Sequence, residues 1–181
     1  MGCRAVLVLS LKLLLTLAAP VRAERLLAEV SVCFVPGEPC GAEIVAAIGA
    51  ARREVRVQAY GFSAAPILGA LAAARARGVD VAVILDRSDL RHLCDHAGTL
   101  LDAGVPVLID RVPGIAHNKV IVIDRRIVIG GSYNYTASAE RRNAENVTFI
   151  DSEPVAARFL DNWARRRAAA ETEVGTDACA E

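Results

Sequence analysis

The sequence predicts an α/β fold, a mixed and mostly parallel sheet flanked by helices on both faces, and three observations carry that expectation. The hydrophobic fraction is 54%, alanine-heavy and poor in aromatics, with valine and isoleucine clusters punctuating the alanine. Alanine favours helix, and β-branched residues favour strand. In the first half the two patterns alternate, strand then helix, which places helices on both faces of a sheet. Residues 79–85 then form an apolar run broken only by Asp80, as in a central strand covered on both sides. A chain of 181 residues has room for one domain with a substantial core.

Each element has its own signal. Residues 27–35 alternate loosely and stop at Pro36-Gly37, a strand and a turn. Residues 42–53 read as a helix with Ile44, Val45 and Ile48 on one stripe. Val55, Val57 and Ala59 alternate with Arg56, Gln58 and Tyr60, so a strand runs to about Phe62. Ser63 suits the cap of a helix starting near Pro66, and Gly78 ends it. A third helix covers residues 91–103. Short strands follow at 107–109, 119–123, 127–129 and 146–150, with Asp124-Arg125-Arg126 as a tight hairpin. A closing helix over 153–170 would bury Phe159, Leu160 and Trp163.

The ends read differently from the middle. Residues 1–23 carry Arg4 and Lys12 around an apolar run and end in Val21-Arg22-Ala23, as a secretory signal does. Residues 24–170 would form the domain, and 171–181 an acidic tail without packing signal. Formal net charge is zero, and cleavage would remove three basic residues and no acid. No global basic field advertises a nucleic-acid partner, so such binding would rest on a local patch. Cys33 and Cys40 bracket a Pro- and Gly-containing segment, and in an oxidising compartment a disulfide there would contribute roughly 2–3 kcal/mol. Cys94 and Cys179 are left over. An alternative use of the sulfurs is a structural zinc site with His92 and His96, four apart on a helix.

The chemistry gathers around the one lysine that follows the signal segment. Lys119 lies in His117-Asn118-Lys119, with Asp124 five residues on, then Gly131-Ser132-Tyr133-Asn134 and Glu145-Asn146. Residues two apart on a strand share a face, so His117 and Lys119 point the same way, as do Ser132 and Asn134. A hairpin between them would bring all four to one sheet edge. Lys119, Asn134 and Ser132 can then donate to phosphate oxygens while His117 faces phosphorus. Glu145 can accept the other imidazole proton. Arg125, Arg126, Arg141 and Arg142 would supply a basic rim.

These motifs resemble the phospholipase D superfamily, whose signature is His-x-Lys, four residues, Asp, then Gly-Ser-x-Asn. Within it the pattern is similar to the small exported bacterial endonucleases of the Nuc type, on the continuation Ser138-Ala139-Glu140 and Arg142-Asn143-Ala144-Glu145-Asn146. The stretches 57–62 and 77–81 also resemble strands of that family, so the likeness runs from about residue 30 to 166. The resemblance implies an α/β/α sandwich and metal-independent phosphodiester hydrolysis through a phosphohistidine on His117, with no cofactor. It implies catalytic roles for His117, Lys119, Asp124, Ser132, Asn134 and Glu145, although Asp124, at a hairpin, would serve structure more than chemistry. Lys119, Ser132 and Asn134 would hold the phosphate, and Arg141 and Arg142 of the basic rim would add to substrate binding. Because this chain holds one motif where two are needed, it further implies a homodimer with the site across the interface.

Three functions compete on this footing. The leading expectation is an exported, sequence-tolerant nuclease acting on DNA or RNA. A phospholipid phosphodiesterase uses the same chemistry on another leaving group and should show an apolar lip. A phosphate-binding dimer without turnover would keep the fold alone.

Overall fold

The hydrophobic patterning builds a seven-stranded sheet between two helical layers, in a computed structural model that describes residues 24–170. The expected signal segment and tail fall outside the described residues. So do the side chains of residues 90–97, which include His92, Cys94 and His96, and also Cys179.

The strands are β1 (Glu29–Val35), β2 (Glu54–Ala59), β3 (Asp80–Asp86), β4 (Val107–Asp110), β5 (Lys119–Ile123), β6 (Ile127–Gly131) and β7 (Glu145–Asp151). Helices α1 (Cys40–Ala50), α2 (Ala65–Ala76), α3 (Leu93–Asp102), α4 (Ala137–Arg141) and α5 (Glu153–Ala169) connect or flank them. The third helical segment is split, since residues Arg87–His92 form a 3-10 turn before α3. Strand order is β1-β7-β6-β5-β2-β3-β4. The fold class is as expected, but parallel pairing is confined to β2-β3-β4, and the other four pairings are antiparallel. The reason is local: a tight hairpin joins β5 to β6 and a loop carrying the short α4 reverses the chain into β7, whereas full helical crossovers return β3 and β4 parallel to β2.

Side-chain alternation sorts the core onto two faces. On one, Ile44, Ile48, Ile67 and Leu71 of α1 and α2 pack on Val55, Val57, Val83, Leu85 and Ile121. On the other, α5 sets Trp163 against Ala82, Ile84 and Leu108, and Ala156 against Val122 and Val128. Thus β3 is covered on both faces, as its apolar run implied, although it lies one strand from the edge. Trp163 Nε1 donates to Val57 O at 3.1 Å, and Arg166 pairs with buried Asp110, tying the end of α5 to β4. Phe159 and Leu160 are partly buried beside it. Ser63 does not cap α2; its N–H donates to Tyr135 O, and Ala64 takes the cap position. Cys33 and Cys40 form the expected disulfide, fastening β1 to the first residue of α1. That bond removes both sulfurs from any zinc set.

Between β5 and β6, Asp124 and Arg125 take positive φ, 52° and 61°, the twist a tight hairpin requires. The Asp124 carboxylate reaches across to β2 and accepts from the N–H groups of Arg52, Arg53 and Glu54 at 2.9, 2.7 and 3.0 Å. Burial opposes its ionisation, but these three donors and the charge of Arg53 outweigh it and hold the carboxyl below the ordinary range. Asp124→Ala should therefore lower unfolding free energy by about 2–3 kcal/mol in urea titrations at neutral pH. Because the folded value is depressed, the Asp124 contribution is complete above the ordinary carboxylate range and is lost as pH falls through the depressed value. The difference between wild type and variant should shrink accordingly in acid.

Candidate active site

The site forms where the C-terminal ends of β2 and β3 meet the start of β5 and the end of β6. Antiparallel pairing places Lys119 opposite Ala59, so Tyr60 and Gly61 emerge beside the lysine. The rings of Tyr60 and His117 lie 4.6 Å apart between centroids, and Lys119 Nζ sits 5.2 Å from the Tyr60 ring centre. Lys119 Nζ also donates to His117 O at 3.1 Å. The lysine is buried, with 7% of its surface exposed, whereas the imidazole of His117 is exposed. Burial lowers the affinity of the ammonium for its proton, partly offset by the charge of Glu145. An anion arriving here would meet an ammonium that water reaches poorly.

Ser132 and Glu145 form the second wall. Ser132 Oγ donates to Glu145 Oε2 at 2.5 Å and accepts from Asn146 N at 3.1 Å. The other carboxylate oxygen accepts from Asn143 Nδ2 at 2.8 Å. Both oxygens of Glu145 are thus engaged, one by Ser132 just after β6 and the other by Asn143 just before β7. Gly131, at φ 147°, makes the turn into Ser132. A Cβ there would stand 2.3 Å from Asn146 O, so only glycine fits.

Asn134 completes the cluster. Its Oδ1 is buried without a hydrogen-bond partner, and its Cβ and Cγ would lie 3.3 Å from a Cβ placed on Gly61. Gly61 is small because the asparagine packs there. Of the residues expected in the site, His117, Lys119, Ser132, Asn134 and Glu145 come together. Asp124 does not: it stands at the other end of β5, clamping β2. The basic rim also divides. Arg125 and Arg126 lie with Asp124 and pair with Glu54 and Asp151, while Arg141 and Arg142 remain exposed at the end of α4.

The tertiary structure adds Tyr60, Gly61, Asp86 and Asp89. Asp86, 1% exposed at the end of β3, accepts from Ala116 N at 2.6 Å and from Ser88 N at 2.9 Å, and so holds the segment leading into His117. A carboxylate closing an apolar strand was the only sequence signal for it. Burial opposes Asp86 ionising, but hydrogen bonds from Ser88 and Ala116 and the charge of Arg87 bring it below the ordinary value. Asp89 goes the other way, raised to about 7 by burial and by the charge of Asp86. Between the ordinary 3.8 and about 7, the folded chain keeps a proton that the unfolded chain releases. Its stabilising effect is complete below that window and is lost as pH rises through it. Asp89→Asn should remove this fall, so its thermal midpoint across the window should decline less than that of wild type.

With the geometry established, comparison with known proteins locates the chain among them. Residues 44–167 match the family described as cardiolipin synthase, PLD-like domain. A protein named phospholipase D from Rickettsia felis is 48% identical over 145 residues, 80% of this chain and 72% of that one. Human mitochondrial cardiolipin hydrolase is 31% identical over 134 residues, 74% of this chain and 53% of its own. The crystal structure of Nuc from Salmonella typhimurium, described as a phospholipase D family member, superimposes with a TM-score of 0.75 at 33% identity. It covers 82% of this chain and 99% of that one. With the matched segment spanning most of the described sheet and every residue of the clustered site, the chain belongs to the phospholipase D superfamily of phosphodiesterase hydrolases.

Proposed function

We propose that this protein is an exported phospholipid phosphodiesterase that works as a twofold dimer through a phosphohistidine and needs no metal. The observation that carries this reading is the solvent-open imidazole of His117 beside the buried ammonium of Lys119. A nucleophile faces outward, and a poorly hydrated cation awaits a monoanionic diester. His117 attacks phosphorus, the P–N bond forms, and the P–O bond to the leaving alcohol breaks. Lys119, with Ser132 and Asn134, offsets the charge gathering on the non-bridging oxygens. The leaving oxygen takes a proton from His117 of the partner subunit, which then removes one from water as that water displaces the imidazole.

A partner is supported by the surface as well as by the chemistry. Val30, Val32 and Phe34 project from the same face of edge strand β1, 58%, 47% and 57% exposed, in a stripe α5 does not reach. Phe34 pairs with Asn146, next to Glu145, so the stripe runs up to the site. An apolar stripe of this kind suits a covered interface. Export is supported by the Cys33–Cys40 disulfide, a bond that persists in oxidising compartments.

For the leaving group, Ile115 stands 57% exposed two residues before His117, an apolar lip of the sort a lipid enzyme needs. The relative from Rickettsia felis bears the name phospholipase D. The basic track that would follow a nucleic-acid backbone is halved, since Arg125 and Arg126 are at the far end of β5. Arg141 and Arg142 keep a second reading alive, a Nuc-type endonuclease acting on DNA or RNA.

The deciding assay offers phosphatidylcholine vesicles, single-stranded and duplex DNA, and RNA to the folded protein in excess EDTA. Choline release that survives EDTA and falls at least a thousandfold in His117→Ala is the expected result. Cleavage of nucleic acid alone would replace it with the nuclease reading, and silence on all substrates with the phosphate-binding dimer. Because burial lowers the pKa of Lys119, binding of a phosphodiester to His117→Ala, where the histidines no longer titrate, should weaken with rising pH below the ordinary lysine range. With Lys119→Arg added, whose guanidinium stays protonated, that loss of affinity with pH should be absent.

A further inference from the structure

We propose that the apolar cleft between the starts of α1 and α2 and helix α4 is a subsite for one acyl chain of the phospholipid. This inference rests on the phospholipid reading above and gives that site its tail-binding half. The cleft has a volume of about 570 Å³ and is walled by small or aliphatic side chains, among them Ala42, Val45, Ala65, Pro66, Ile67 and Ala137. That volume is in the range of small-molecule sites.

Two features tie the cleft to the chemistry and to this kind of guest. The first is continuity. Tyr133 and Thr136 line the cleft, and between them in the chain Asn134 belongs to the catalytic cluster. Gly61, which follows Tyr60 in the chain, packs against Thr136 of the cleft and Asn134 of the cluster at once: a Cβ on it would lie 3.2 Å from Thr136 Cγ2 and 3.3 Å from Asn134 Cβ. A ligand whose phosphate lies in the catalytic cluster therefore has, next to Asn134, an apolar cleft for a tail.

The second is that the Glu140 carboxylate, the Tyr133 phenol and the Thr136 hydroxyl of the cleft are matched within the protein. Glu140 Oε2 accepts from Tyr133 Oη at 2.8 Å and from Gly41 N at 3.0 Å. Thr136 Oγ1 accepts from Ala139 N at 3.1 Å, capping α4. These groups, already matched, offer little to the ring nitrogens and carbonyls of a nucleobase. A hydrocarbon asks for none. Arg141 at the rim adds a cation where the ester and phosphate end of a lipid would emerge.

The test fills the cleft from α1, away from the catalytic residues. Wild type, Ala42→Trp and, from the other wall, Ala65→Trp are compared as full-length folded protein, each checked by circular dichroism and thermal melting. Substrates are phosphatidylcholines of increasing chain length below their aggregation limits and the tail-free diester bis(p-nitrophenyl) phosphate. Dodecyl phosphate binding is measured by calorimetry alongside. Wild-type kcat/KM should rise with chain length, by up to about fourfold per methylene at full burial. At least one filled variant should lose that rise and bind dodecyl phosphate tenfold or more weakly, with tail-free hydrolysis unchanged. If both folded variants keep the wild-type chain-length dependence and dodecyl phosphate affinity, the subsite is overturned while the lipid reading stands. Equal loss on the tail-free diester also overturns it, since the substitution would then act through the catalytic cluster. If wild type hydrolyses no phosphatidylcholine, the lipid reading falls. An Ala42- or Ala65-dependent affinity for dodecyl phosphate would then still support a tail subsite.

Discussion

The antiparallel register of β5 on β2 is the constraint from which the site follows. Ile123 pairs with Val55 at one end and Lys119 with Ala59 at the other. Asp124 locks that register by gathering three backbone N–H groups at the start of β2 with a single carboxylate. A slip of one residue would turn Lys119 to the face covered by α5 and send Val120 toward the phosphate site. The motif aspartate therefore acts at a distance, fixing where the lysine stands without touching what the lysine touches. Its separation from the lysine is the length of one strand, so the two are close in sequence and apart in space.

At the catalytic end, burial and charge are set against each other. Lys119 is kept from water by Tyr60 and the strands around it, which raises the value of any anion it meets. Glu145 tempers that cost and is itself held by Ser132 and Asn143. Asp86 secures Ala116 and so the approach to His117, while burial, and then the charge of Asp86, raise the carboxyl of Asp89 to about 7. The nucleophile is thus mounted on a segment anchored from the core, with its ring exposed. Such an arrangement leaves the histidine open to substrate and to a second copy of the chain without loosening the backbone that aims it.

Much of this was legible in the residues. Lys119 stood out because arginine serves every other basic position after residue 23, and alternation put it on the same face as His117. The Gly-Ser-x-Asn run put Ser132 and Asn134 on one face, while the need for glycine at 131, where a Cβ would meet Asn146 O, came from the structure. The disulfide was readable from seven residues of spacing with Pro and Gly inside. Other features were out of reach. Arg125 and Arg126 read as part of a rim because they are near His117 in sequence, but a strand of extended chain carries them to the opposite edge of the sheet. Helix α4 is too short to leave a periodic signal, yet it builds one wall of the apolar cleft.

By itself the sequence determined the local things: where apolar stripes switch from helical to strand spacing, which positions must turn, and which side chains carry charge, nucleophile and sulfur. Those depend on neighbours within a few residues, whose geometry the backbone dictates. Tertiary structure decided the pairing of β5 between β2 and β6, and with it the meeting of Tyr60 with His117, Gly61 with Asn134, and Asp86 with Ala116. It also decided that Glu145 bonds to Ser132 and that Asp124 belongs to the scaffold. These contacts join residues from 13 to 73 positions apart, and what selects them is the joint burial of both sheet faces, which no single stretch of chain can express.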